Sequence, residues 1–244
     1  MYLRTVHAEG NLAILQEFVK QNPLGILNTA LKSTVYPFIQ SSHIPFVFNV
    51  DTSATGHEDN QQGYGVLRGH IAKQNPQAKV LIETLAATQT ELGDETIREL
   101  PEDVLVLFNG PHHHYVTPKF YVETKPTTGK VVPTWNYSAV QVYGKVEDLS
   151  RQAETSIMGY TGGGNLSPWE VSDAPVSYID ILKKNIIGIE IRIHRMEGKF
   201  KLSQEMGKGD REGVIQGFDN LNSDVGRNMA EMVKDRGNKK DEGA

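Results

Sequence analysis

The chain has 244 residues, 38% of them hydrophobic and 23% charged, with a formal net charge of −5. That is enough apolar material for a globular core in one large or two small domains, and the acidic balance is poorly suited to gripping phosphate backbones, so no tight direct nucleic-acid binding is expected. Cysteine is absent, which excludes disulfides, a thiolate nucleophile and Cys-ligated metals and fits a reducing, cytoplasmic setting.

The opening MYLRTVHAEGN lacks the apolar core of a signal peptide. No run approaches the ~20 apolar residues of a membrane helix. Asn11 to Lys20 predicts a helix, with Leu12, Leu15, Phe18 and Val19 on one face and Asn22-Pro23 ending it. Leu24 to Leu31 reads as a strand. SHIPFVFNV, within Tyr36 to Val50, reads as another, and Pro45 inside it marks an edge or a bulge. Asp51 to Gly63 is a polar loop. Tyr64 to Ala72 is a third strand, and it carries Arg68 and His70.

Asn75-Pro76 then opens a helix, Asn as N-cap and Pro at the first helical position, with Val80, Leu81 and Leu85 on its apolar face. Thr88 to Asp103 is acidic and reads as a second short helix or an insertion. Val104 to Phe108 is a buried strand that stops at Asn109-Gly110-Pro111. The loop after it holds His112, His113, His114, Tyr115, Phe120 and Tyr121, an unusually aromatic set that suggests contact with a ligand or a partner. Tyr137 to Val146 alternates as a strand.

Leu149 to Met158 is a possible helix, Gly159 to Ser167 a loop, and Pro168 to Tyr178 an irregular crossing. Ile186 to His194 alternates most clearly, and Gly198 to Ser203 is expected to pair with it as a hairpin turning at Met196-Glu197-Gly198. From Asp219 to Ala244 the chain is polar: a short helix at Val225 to Lys234, then a disordered tail. About seven short strands with few helices predict a mainly antiparallel β barrel with peripheral helices.

Several site readings stand beside plainer ones. In an extended segment His112 and His114 share a face, so at most two histidines could share a metal ion. No carboxylate sits at chelating spacing, and no metal is expected. Gly162 to Gly164 lacks the Lys-Ser/Thr of a phosphate loop and reads as a connection. Arg68 and His70 share a face of their strand, with Gly69 allowing close backbone approach and Lys73 just beyond. A guanidinium there suits bidentate phosphate binding; a surface strand also carries arginine by chance. Lys199 and Lys201 alternate onto one face near Ser203 and Gln204, either as a solvated edge or as a second anion or ring contact. No G-x-S-x-G elbow and no helix-turn-helix is present.

The blocks SHIPF (Ser42 to Phe46), RGHIAKQNP (Arg68 to Pro76), VLVLFNGPHHHYVTPKFY (Val104 to Tyr121), VPTWNYSAVQVYG (Val132 to Gly144), and KFKLSQ followed by DREGVIQG (Lys199 to Gln204, Asp210 to Gly217) strongly resemble, in this order, the PaiB-like family of FMN-binding negative transcriptional regulators. The resemblance covers residues 1 to 218. It implies a split β-barrel of the flavin reductase and pyridoxamine-phosphate oxidase type as a single domain over 1 to 218, with peripheral helices and a polar tail over 219 to 244. It also implies a homodimer with FMN at the interface.

On that basis Arg68 and Lys73, with Gly69 and His70, hold the phosphate. Ser42 and His43 line the same end, and Trp135, Asn136 and Tyr137 sit near the ring or the partner. Lys201, Ser203 and Gln204 add contacts. The function implied is a redox protein, an FMN-dependent oxidoreductase if it is an enzyme, using a nicotinamide donor or a small-molecule substrate, with no catalytic residue evident. The alternatives are a flavin- or redox-responsive transcriptional regulator and a haem-binding split-barrel protein. Departures from the pattern are Arg4 in place of Pro, Ser42 in place of Thr, Gln141 in place of His, and one histidine more after Gly110-Pro111.

Overall fold

A computed structural model describes residues 1–50, 63–93, 100–145 and 185–242. The predicted loop at Asp51 to Gly63 lies outside them but for Gly63, and so do the helix at Leu149 to Met158, the glycine loop at Gly159 to Ser167 and the crossing at Pro168 to Tyr178. The described residues form two compact units, one of 1–18, 109–140 and 197–244, the other of 19–108 and 141–196.

The second unit is a mainly antiparallel sheet. Its strands are β2 (Leu24–Ala30), β3 (Ile39–Pro45), β4 (Val47–Asn49), β5 (Val66–Ala72), β6 (Val104–Asn109) and parts of β8 (Thr134–Lys145) and β9 (Ile186–Lys201), in the order β3-β2-β6-β8-β9-β5-β4. The two ends of that path, β3 and β4, are separated in the chain by Phe46 alone. One stretch thus pairs with β2 through its first half and with β5 through its second. The sheet returns on itself as a barrel and has no long free edge. Pro45 causes the break, as a residue that cannot donate to a ladder should.

Alternation sets which side chains fill the barrel. Leu27, Ile44, Leu67, Val106 and Phe108 are buried on its inner side, and Phe46 meets Phe108 edge to face with centroids 6.1 Å apart. Gly25 and Gly69 are part of that packing. A Cβ at Gly25 would lie 2.6 Å from Val106, and one at Gly69 2.9 Å from both Ile44 and Phe46. The missing side chain of Gly69 therefore makes room for the barrel's own core, not for a ligand.

α2 runs Pro76–Leu92, capped by Asn75, whose Oδ1 accepts from the Gln77 N–H at 2.8 Å. It absorbs Thr88 to Leu92, where a separate helix or an insertion was an option, and ends at the left-handed Gly93. Gln77 is buried, and its Nε2 donates to the Leu27 and Gln40 carbonyls and to Thr29 Oγ1, stapling the helix to β2 and β3.

In the first unit the two-residue strand β1 (Ala8–Glu9) pairs with the end of β9, and β7 (His114–Val116) pairs with the start of β8. The expected hairpin at Met196-Glu197-Gly198 is not formed: β9 continues unbroken from Ile186 to Lys201. Gly198 is there because α1 (Leu12–Gln21) packs against it, and its Cβ would fall 2.2 Å from Leu15 Cδ2. The C-terminal residues also depart from a disordered tail. A short helix α3 (Thr124–Thr128) precedes β8, and α4 (Lys208–Asp219) and α5 (Asp224–Glu242) follow β9, with Val214, Phe218, Met229, Ala230 and Val233 buried.

Candidate functional site

On the outer face of the barrel β5 presents Arg68, partly exposed, and His70, exposed, with Lys73 exposed just past the strand. The register puts Arg68 opposite Glu190 and His70 opposite Gly188. Arg68 Nε donates to Glu190 Oε2 at 2.7 Å, and Nη2 lies 2.5 Å from the same oxygen. Glu190 itself is only 8% exposed. Sequence reading missed this carboxylate; its signal is the lone acid in the alternation IIGIEIRIH. Ser42 Oγ accepts from Asn75 Nδ2 at 3.1 Å, which ties it to the start of α2. His43 is exposed on the other face of β3.

In the first unit the remaining predicted residues are mostly engaged in holding the fold. Asn136 is fully buried, and its Nδ2 donates to Ser203 Oγ at 3.0 Å. Ser203 is buried in the left-handed region at φ 61°, a conformation costly for a non-glycine residue. Gln204 is buried too: its Oε1 accepts from the Leu202 N–H at 2.6 Å, and its Nε2 donates to the Phe200 carbonyl. These two close the tight turn after β9, with their side chains bonded within the fold. Trp135 and Tyr137 remain accessible. Trp135, 48% exposed, donates from Nε1 to His113 Nδ1 at 3.2 Å and meets Tyr115 edge-on, an exposed aromatic cluster.

His114 turns away from that cluster, edge-on to Phe218 at 5.5 Å. Among the described residues no group of three or more His, Cys, Asp or Glu is placed to hold a metal, and no helix is long and apolar enough to cross a membrane.

Beneath Lys201 lies a polar set that sequence reading did not single out. His7, 2% exposed, meets Glu205 through Nε2 at 3.0 Å. Burial alone would raise the Glu205 pKa, but the bond from His7 and its neighbours' charges outweigh that and hold the carboxyl below its ordinary range. Burial and the nearby Glu205 and Asp210 carboxylates push the Tyr121 phenol up. Asp210 is fully buried and caps α3, accepting from the Glu123 and Thr124 N–H groups at 2.8 and 3.2 Å and from Thr124 Oγ1. A cleft of about 850 Å³ bounded by Leu31, Phe38, Glu83 and Glu91 contains none of the predicted site residues.

Architecture and surface together define a closed antiparallel barrel whose interior is filled and whose polar, partly cationic groups face outward. Residues 1–195 match the family described as "Putative FMN-binding domain", and the chain belongs to that family. Its cofactor is FMN. An uncharacterised protein of Aspergillus fumigatus is 60% identical over 99% of both chains. The protease synthase and sporulation protein PAI 2 of Bacillus subtilis is 27% identical, over 97% of this chain and 98% of that one. A solved FAD- and haem-binding protein from Mycobacterium smegmatis has a TM-score of 0.41 and 10% identity, covering 80% of this chain and 73% of that one.

The donor set on β5 fits FMN chemically. A phosphate monoester needs cationic or N–H partners, and Arg68, His70 and Lys73 supply them within one short stretch. The fit is tempered by Glu190, which already takes two of the Arg68 N–H groups. The ring system cannot enter the barrel, because Gly25 and Gly69 have no spare volume beside Phe46 and Phe108.

Proposed function

We propose that the protein is a homodimeric, cytoplasmic flavoprotein of split-barrel type that binds FMN on the outer face of its barrel and uses it in redox chemistry with a nicotinamide or small-molecule partner. The observation that carries this reading is the outward-facing Arg68 and His70 beside a filled barrel interior. A flavin on that face would be open to water unless a second copy supplied the other wall, and a shared site needs a dimer. Arg68, His70 and Lys73 would hold the phosphate, with Ser42 and His43 at the same end, and Trp135 and Tyr137 would offer aromatic faces to a partner. FMN, when bound, supplies hydride and electron transfer, and the protein's part is to orient it and keep water out.

A second reading, a flavin-responsive transcriptional regulator, rests on the resemblance to the PaiB-like family. The net charge of −5 opposes direct DNA contact. Sedimentation of the purified protein with and without FMN tests the dimer. The expected result is about twice the chain mass of 27.1 kDa. A 27.1 kDa species that carries bound FMN would rule out the shared site. Nanomolar, sequence-selective DNA binding at physiological salt would favour the regulator.

A further inference from the structure

We propose that Arg4, Lys199 and Lys201 form an oxyanion site in the first unit, which takes a phosphate or carboxylate group beside the faces of Tyr2 and Tyr137. β1 runs along the end of β9, pairing Ala8 with Lys199, and so brings the N-terminal residues to these lysines. Lys199 Nζ lies 5.9 Å from the Tyr2 ring and 5.7 Å from the Tyr137 ring, and it donates to the Tyr2 carbonyl at 3.0 Å. Lys201 Nζ donates to Thr134 Oγ1 and, at 3.1 Å, to the Trp135 carbonyl. It is a fixed charge with its position set by β8. Arg4 is exposed, its carbonyl accepts from the His7 and Ala8 N–H groups, and its side chain makes no hydrogen bond or ion pair to a described residue, which leaves the guanidinium fork available for bidentate contact.

The positive excess is not cancelled by nearby acids. Glu205 Oε1 is 3.9 Å from Lys201, but its other oxygen is taken by His7. Glu197 is paired with the N-terminal ammonium at 2.8 Å, and Glu9 with Arg236 at 2.6 Å. Among the described residues, Lys201 is paired with Glu205, and Arg4 and Lys199 make no ion pair. The strain shows on Lys201: burial lowers its pKa, Glu205 opposes this, and Lys199 and Arg4 add to the lowering. An anion would relieve that repulsion, and the Tyr rings give a planar ligand an apolar wall.

The anion has two sources to distinguish: a separate anionic ligand, or the FMN phosphate, which would then be held here and not at Arg68; only the second rests on the flavin reading above. Arg4→Ala and Arg4→Glu are the informative variants, since the side chain contributes no bond to the fold; Lys199→Gln is a third, and Lys208→Ala is an exposed control. FMN and riboflavin are titrated by fluorescence, and inorganic pyrophosphate by its effect on the melting temperature. If the site takes the flavin phosphate, Arg4→Glu weakens FMN about ten-fold, the equivalent of ~1.4 kcal/mol, and leaves riboflavin unchanged. If the anion is separate, FMN affinity is unchanged and the stabilisation by pyrophosphate disappears in the Arg4 and Lys199 variants but persists in Lys208→Ala. FMN and pyrophosphate responses equal to wild type in all three variants would overturn the proposal. Failure of wild type to bind FMN would overturn the flavin reading alone, because the pyrophosphate arm stands without it.

Discussion

Arg68 and Glu190 face each other across β5 and β9, and the burial is unequal: Glu190 has a side-chain exposure of 11%, Arg68 one of 41%. Removing the arginine leaves a mostly buried carboxylate without its partner, which costs more than the pair contributes. Arg68→Ala should lower stability by about 1–3 kcal/mol, and adding Glu190→Gln should restore most of it. Urea unfolding of both variants measures this, and equal losses would mean that the pair carries no strain of this kind. Flavin affinities of Arg68→Ala are for this reason best read in the double variant.

Asp210 makes the complementary case. Burial would raise its pKa, but the bonds from Thr124 and from the Glu123, Thr124 and Val122 N–H groups prevail and hold it below the ordinary range. Its folded pKa thus lies under the unfolded value of about 3.9. The stabilisation is complete above that pH and is lost as pH falls through the folded pKa. Asp210→Asn should be about 1–3 kcal/mol less stable at neutral pH and lose less than wild type on acidification below about pH 4. Parallel acid profiles would sink the cap assignment.

At the scale of elements, glycines decide how closely strands and helices approach. A Cβ on Gly144 in β8 would sit 2.1 Å from the Arg192 carbonyl oxygen of β9. Backbone cannot yield as a flexible side chain does, so Gly144→Ala should destabilise by about 1–3 kcal/mol or more. A melting temperature equal to wild type would contradict the β8–β9 register. The same residue type limited what sequence could reveal. The barrel strands, the N-cap at Asn75 and the break at Pro45 were legible because alternation and local chemistry specify them. Gly198 resembled a turn, whereas its role is contact with Leu15, a residue far away in the chain. Glu190 was equally hidden, since its partner Arg68 lies 122 residues earlier. In α5 the overall polarity masks Met229, Ala230 and Val233 at helical spacing.

The second unit is a barrel filled with its own side chains, and Arg68, His70 and Lys73 lie on its exterior. That packing keeps a flavin out of the barrel interior. The candidate site was legible only as residue types: the outward direction of Arg68 follows from period-two alternation, but the internal engagement of Asn136, Ser203 and Gln204 depends on tertiary contacts. The central claim is that this protein binds FMN and recognises its phosphate. Titrating the purified protein against FMN and riboflavin, followed by flavin fluorescence, tests it most directly. The expected result is saturable binding of one FMN per chain, with riboflavin weaker by about ten-fold or more, as loss of a charge-assisted contact of ~1.5–3 kcal/mol requires. Flavin fluorescence that does not change with protein concentration, or equal affinity for the two flavins, would contradict it.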